Sequence, residues 1–255
     1  MGEKQSKIKY FDGSEYQGEV NAAGKEHGQG QINYVNGDLL KGNFEDGECT
    51  TGVITKKSGD QYEGQLRNLQ YYGKGKLTTK DYTQDGLFRD GNFLNGRVVF
   101  KDGTIYEGAM ENECKVGKAF YQTSTGDTYN GYFKNDKFEG TGELKRKDGS
   151  SYVGDFKNGE YDGQGKLIKF DKGRKKFEYE GGFTLGLFEG EGMLVYTGDK
   201  GYTYKGHFIN GKKDGAGVAE YVSGESYEGH FRDDLRCDRN CVVKLASGAT
   251  YEGGI

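Results

Sequence analysis

A pentapeptide, Tyr-x-Gly-x-Phe or a close variant, recurs along almost the whole chain and is the strongest constraint on its fold. Copies begin 22 to 27 residues apart, with one gap of 44, at Tyr16, Leu40, Tyr62, Tyr106, Tyr129, Tyr152, Tyr179, Tyr204, Tyr227 and Tyr251. A degenerate copy near Gln84 divides the longer gap, so the chain has ten units and the first strand of an eleventh. Self-similarity at such a period indicates a repeat protein whose units pack against their neighbours.

Each unit is predicted to be a β-hairpin. A second motif, Gly-x-Gly-x-apolar, follows the pentapeptide, as at Gly163 and Gly165, and a turn such as Asp148-Gly149 follows in most units. Residues two apart on a strand share a face, so the rings of one strand are expected to lie across both bare glycines of the next. The units from Leu40 and Gln84 lack the tyrosine, and we expect them to be irregular.

The composition supports an all-β fold and argues against disorder. The chain has 20 Tyr and 15 Phe, which supply large apolar area, and 46 Gly with no Pro, which suits tight turns and uninterrupted ladders. The net charge is only -4. Single-stranded nucleic acids need a positive groove beside stacking rings, so the acidic balance argues against a nucleic-acid partner.

The sequence indicates no catalytic, cofactor or metal site. A P-loop-like spacing that ends at Lys212 lacks the Ser or Thr that would hold magnesium, because Lys213 stands there. Cys237 and Cys241 have no second pair of ligands nearby in sequence, whereas a structural zinc ion requires four. We therefore expect a protein without enzymatic activity.

This pattern resembles the MORN repeat, and the resemblance covers residues 10–255, leaving residues 1–9 as an N-terminal tail. It implies an elongated, twisted, single-layer antiparallel sheet of tandem hairpins. It also implies a binding scaffold that works through contacts with other proteins. A single layer cannot bury both of its faces.

One face is therefore expected to stay partly open as a groove that binds another protein. Its aromatic anchors are predicted to be Tyr129, Phe133, Tyr152, Phe156, Tyr179, Phe183, Tyr204 and Phe208. The strand from Tyr251 to Ile255 begins a hairpin without its partner strand, and is expected to be an open edge for strand addition.

The first unit suggests the kind of assembly. The sequence from Asn21 through His27-Gly28-x-Gly30 to Asn36-Gly37-Asp38 is similar to the opening repeat of the MORN subunits of ciliary radial spoke heads. This similarity implies a structural subunit of a ciliary or other cytoskeletal assembly, inside the cell.

Two alternatives remain open. A membrane-associated adaptor is favoured by one basic cluster, Lys172, Arg174, Lys175 and Lys176, which could contact acidic lipids or an acidic partner. A regulatory MORN segment of a larger enzyme is the other alternative, because some enzymes carry such repeats beside a catalytic domain.

Overall fold

A computed structural model describes residues 5–237 and 241–254. Strands, turns and loops make up these residues, and no helix occurs among them. The chain forms two compact units, residues 1–124 and residues 125–255, which we describe separately.

The first unit is an antiparallel meander in which each strand pairs with the next one in sequence. Its strands are β1 (Gln5–Lys9), β2 (Glu15–Val20), β3 (Glu26–Asn33), β4 (Leu39–Glu45), β5 (Glu48–Thr55), β6 (Gln61–Arg67), β7 (Gln70–Thr78), β8 (Tyr82–Arg89), β9 (Asn92–Phe100), β10 (Ile105–Glu111) and β11 (Cys114–Gln122). Residues 5–9, which the sequence analysis assigned to a tail, form β1 and pair with β2. The boundary expected at residue 10 therefore falls after the first strand.

The second unit has the same architecture, and β20 pairs with both β21 and β22 at its far end. Its strands are β12 (Thr128–Lys134), β13 (Lys137–Lys145), β14 (Ser151–Lys157), β15 (Glu160–Asp171), β16 (Arg174–Thr184), β17 (Leu187–Tyr196), β18 (Tyr202–Ile209), β19 (Lys212–Tyr221), β20 (Ser226–Arg232), β21 (Leu235–Arg236), β22 (Cys241–Lys244) and β23 (Thr250–Gly253). The predicted all-β fold of antiparallel hairpins is confirmed.

Glycines pair with glycines across successive strands and form a continuous row through each of the two compact units. In the second unit the row contains Gly131, Gly142, Gly154, Gly165, Gly181, Gly192, Gly206, Gly217 and Gly229. The backbones approach so closely that a Cβ placed on Gly154 would lie 2.5 Å from the Cα of Gly165. This row leaves a channel on one face of the sheet, and the tyrosine rings fill it.

The two glycines of the Gly-x-Gly motif have different roles, which corrects the expectation that rings cover both. A Cβ on Gly165 would lie 2.4 Å from the hydroxyl oxygen of Tyr152, so this second glycine makes room for the ring. Gly163 has a φ of +111° and its Cβ would meet the carboxylate of Asp155, not a ring. The first glycine therefore allows a bulged backbone conformation that side chains disfavour.

Candidate functional site

The tyrosine at the start of a repeat binds across a β-bulge as well as filling the glycine channel. The register between β14 and β15 shifts between Gly154 and Phe156. The residue between them is Asp155, three positions after Tyr152. The Tyr152 hydroxyl donates a hydrogen bond of 2.9 Å to the carbonyl oxygen of that residue, Asp155. The same bond, from the tyrosine to the carbonyl three residues later, recurs at Tyr16, Tyr62, Tyr106, Tyr129, Tyr179, Tyr204, Tyr227 and Tyr251.

The two repeats without the tyrosine, those from Leu40 and Gln84, are one residue shorter between their paired glycines. Eleven residues separate Gly154 from its partner Gly165, but only ten separate Gly42 from Gly52. In the unit from Leu40, the hydroxyl of Thr50 donates to the Asn43 carbonyl, 3.3 Å away, in place of the missing tyrosine. The irregularity expected in these units is thus a change of one residue in the bulge, while the glycine pairing is kept.

The eight predicted anchors form a buried aromatic row, and the expectation that these side chains are themselves open to a partner is wrong. Tyr129, Tyr152, Tyr179 and Tyr204 are 0% exposed, and the accompanying phenylalanines, Phe133, Phe156, Phe183 and Phe208, are at most 5% exposed. Each tyrosine packs edge-on against two phenylalanines, as Tyr152 does at 5.1 Å from both Phe156 and Phe183. Burial raises the pKa of Tyr129, Tyr179 and Tyr204 to about 12.

A second set of rings, which the repeat motif did not indicate, covers three of the buried tyrosines. Phe138, Tyr161 and Phe188 stack face to face on Tyr129, Tyr152 and Tyr179, with ring centroids 3.7, 3.8 and 3.7 Å apart. Each of the three is half-buried, so part of each ring is accessible. We call Phe138, Tyr161 and Phe188 the outer ring row.

The outer ring row lies on alternate strands, β13, β15 and β17. Strands are about 4.8 Å apart, so neighbouring rings of this row are roughly 10 Å apart. A hollow of about 340 Å³ lies beside Tyr161, lined by Leu144 and Leu167, with Arg146 and Lys169 among its polar lining residues. The row therefore offers regularly spaced apolar surface with polar groups at one side.

The opposite face of the second unit carries isolated apolar side chains among charged ones. Val153 is 51% exposed and pairs in register with Lys166, while Met193 is 41% exposed and lies between Glu180 and Lys205. Cross-strand ion pairs such as Lys166 with Glu180, at 3.4 Å, occur on this face. We call this the charged face.

The predicted basic cluster is exposed at the turn between β15 and β16. Lys172, Arg174, Lys175 and Lys176 all face solvent. Lys175 is bound to Glu178, and hydrogen bonds from Lys166 and Lys175 lower the pKa of that carboxyl group. Among the described residues, no acidic side chain lies within ion-pair distance of the other three cations.

Part of the predicted edge strand lies in β23. β23 pairs with β22 alone among the described strands, and Tyr251 on it is 47% exposed. Ile255, the last residue of the predicted edge, lies outside the described residues. Strand addition at this edge stays a prediction.

The described residues contain no group of three or more His, Cys, Asp or Glu side chains that could hold a metal ion. Among the same residues, no helix has the length and apolar character needed to cross a lipid bilayer.

Two solved structures are similar to the chain over most of its length. The TCP10 domain of Danio rerio CPAP in complex with a peptide of Danio rerio STIL is 11% identical, with coverage of 98% of this chain and 93% of that chain and a TM-score of 0.34. The TCP domain of SAS-4 (dCPAP) in complex with a Proline Rich Motif of Ana2 (dSTIL) of Drosophila melanogaster is 12% identical, with coverage of 98% and 90% and a TM-score of 0.23. TM-scores this low do not establish a shared fold. No curated protein sequence matches the chain significantly.

The family model described as MORN repeat matches the chain in both units. The matched stretches are residues 16–39, 129–151, 152–174, 179–198, 204–226 and 227–237. They coincide with hairpins in which the tyrosine fills the glycine channel. The chain belongs to the MORN-repeat family.

Proposed function

We propose that the chain is a non-enzymatic scaffold that binds a segment of another protein along the outer ring row. The observation that carries this proposal is the regular spacing of three partly accessible rings, Phe138, Tyr161 and Phe188. Contiguous apolar surface on a folded protein usually marks an interaction site, and aromatic side chains dominate binding energy at such sites.

The eight residues of the buried aromatic row act indirectly in this proposal. Tyr129, Tyr152 and Tyr179 stack on the outer rings and hold them in place, and none of the eight buried residues touches the partner. Alanine substitutions of Tyr152 or Tyr204 would therefore destabilise the unit itself and are poor probes of binding. Substitutions on the outer ring row separate binding from folding.

A pull-down from the cells that express the protein tests the proposal. The variant combines Phe138→Ser, Tyr161→Ser and Phe188→Ser, and its matched control on the charged face combines Val153→Ser, Met193→Ser and Val218→Ser. Circular dichroism must show β-structure in both. We expect partners to be lost with the first variant and retained with the control. Partners retained by both variants would overturn the proposal.

We further propose that the assembly is ciliary, like a radial spoke, or otherwise cytoskeletal. The support is the similarity of residues 21–38 to the opening repeat of the MORN subunits of radial spoke heads. The localisation that follows is the axoneme of a cilium or flagellum, or the cytoskeleton. Identification of the proteins that co-purify with the wild-type chain tests this, and an absence of axonemal or cytoskeletal proteins would contradict it.

Contact with acidic lipids is the second candidate function, because Lys172, Arg174 and Lys176 are exposed. Each cation near an anionic surface contributes about 1 kcal/mol. Sedimentation with phosphatidylserine vesicles tests it, using the wild-type chain and a variant with all three cations changed to Gln. Equal sedimentation of the two proteins would exclude this role for the cluster.

A further inference from the structure

The outer ring row is followed along the second unit by two cations in the equivalent positions. Each outer ring lies nine residues after the tyrosine of its unit, as Tyr161 does after Tyr152. Nine residues after Tyr204 and Tyr227, the chain has Lys213 and Arg236 instead. Both pair in register with the phenylalanine of their unit, as the outer rings do, so they occupy the same place on the sheet.

Both cations lie over aromatic rings. The Lys213 ammonium nitrogen is 4.4 Å from the centroid of the Tyr202 ring and 5.6 Å from that of Tyr204. The Arg236 guanidinium is 4.8 Å from the Tyr227 centroid and 5.1 Å from that of Tyr221. The rings hold the positive charges on the same face as the outer ring row.

The positive charge of Lys213 is incompletely neutralised in the free chain. Its side chain is half-buried, and burial lowers the pKa of its ammonium group. Among the described residues, no carboxylate lies within ion-pair distance of this group. The nearby Asp234 accepts a hydrogen bond of 3.0 Å from the backbone N–H of Lys213, while Glu225 binds Arg236 at 2.8 Å. An anion placed over Lys213 would recover solvation that folding removes.

We propose that Lys213 binds the carboxylate of an acidic residue in the partner segment that lies on the outer ring row, and that Arg236 adds positive charge further along the same face. This inference rests on the proposed function and adds the direction in which the partner segment lies. The apolar residues of the segment lie over Phe138, Tyr161 and Phe188, and its Asp or Glu lies one repeat further along, over Lys213. The partner is thus an acidic protein segment with a fixed direction.

The repeat spacing favours a helical segment. Residues seven apart on a helix lie on the same face and are about 10.5 Å apart, close to the roughly 10 Å between neighbouring outer rings. Residues three apart on an extended strand span a similar distance but point to opposite faces. The expected partner sequence therefore has apolar residues at successive heptad positions and an acidic residue one heptad later.

Binding of two fluorescein-labelled helical peptides to the purified full chain tests the inference. Both carry Leu at three successive heptad positions; the fourth position holds Glu in one peptide and Lys in its twin. We expect fluorescence anisotropy to show that the Glu peptide binds about 10-fold more tightly, as for a partly desolvated charge pair. The Lys213→Glu variant should reverse this preference.

Two further variants make the test specific. Lys212→Glu makes the same charge change at the adjacent residue, whose exposed ammonium group pairs with Asp233 at 2.8 Å, and should leave the preference unchanged. Lys213→Met keeps the stem over the rings and removes the charge. It should abolish the preference without reversing it, even if Lys213→Glu fails to fold.

The outcomes separate this inference from the proposed function. Equal binding of the two peptides to the wild-type chain, a preference that survives Lys213→Met, or no binding of either peptide would overturn the inference. Equal binding that is lost with Tyr161→Ser and Phe188→Ser would leave the ring-row function standing. Binding unaffected by those two substitutions would count against the proposed function itself.

Discussion

At the residue scale, the tyrosine of each unit combines two roles that a plain hydrophobic side chain could not. Its ring fills the space over paired glycines, and its hydroxyl satisfies a carbonyl that the β-bulge takes out of regular pairing. Thr50 shows that the hydrogen bond itself matters, because it supplies the hydroxyl in the unit where Leu40 cannot. One side chain therefore provides both the hydrogen bond to the buried carbonyl and the packing over the glycines.

Tyr152→Phe isolates the hydrogen bond. The ring stays in the channel, but the Asp155 carbonyl loses its partner, which we expect to lower the free energy of unfolding by about 1 to 2 kcal/mol. Tyr132→Phe is the control, because Tyr132 is 45% exposed. Urea unfolding followed by circular dichroism measures both. Equal stability of Tyr152→Phe and the wild type would show that the hydroxyl contributes nothing.

The buried tyrosines also predict how stability depends on alkaline pH. Burial raises the pKa of Tyr129, Tyr179 and Tyr204 from 10.0 to about 12. The folded chain therefore holds these protons more tightly than the unfolded chain. Their contribution is complete below pH 10 and is lost as the pH rises toward 12, so thermal stability should fall across that window. Tyrosinate absorbance that rises fully near pH 10, in a chain still folded, would contradict this.

At the element scale, each hairpin is specified by its turn and its bulge. Many of the two-residue turns have positive φ at both positions. Asn158-Gly159 has this conformation with residues suited to it, whereas Asn68-Leu69 places a leucine at φ +59°. Such turns match the twist of the strands and favour Asn-Gly. The turn after Arg67 therefore carries avoidable backbone strain.

Leu69→Gly should relieve that strain. Leu69 is 48% exposed, so little apolar burial is lost, and a residue other than glycine in this conformation costs about 1 to 2 kcal/mol. Part of the gain is offset by the greater freedom of glycine in the unfolded chain. We expect a net stabilisation of about 0.5 to 1 kcal/mol and a higher melting temperature by calorimetry. A lower melting temperature would contradict the turn assignment.

The repeat spacing was sufficient to predict the hairpins, the paired glycines and the shared face of Tyr152 and Phe156. It was not sufficient to predict burial of that face. The covering rings, such as Tyr161, belong to the same hairpin and fold back over it after the turn, so Tyr152 is covered by a residue of its own repeat. The spacing of nine residues between Tyr152 and Tyr161 is visible in the sequence. Whether the two rings stack depends on the bulge, because the bulge shifts the strand register by one residue.

At the scale of the whole molecule, contacts within each compact unit run between successive hairpins, so stability should be additive over neighbouring repeats. Deleting Tyr129 to Ser151 removes one period and joins equivalent positions. We expect this variant to remain folded, with a β-sheet circular dichroism spectrum and a modestly lower unfolding midpoint. A random-coil spectrum would show that the chain depends on closure between distant repeats.

The central claim is that the outer ring row is the binding face. Hydroxyl-radical footprinting of the chain, free and bound to its co-purified partner, tests it most directly because it reports the accessibility of individual side chains. We expect Phe138, Tyr161 and Phe188 to become protected in the complex while Met193 on the charged face keeps its labelling. Protection of Met193 with unchanged labelling of the three rings would contradict it.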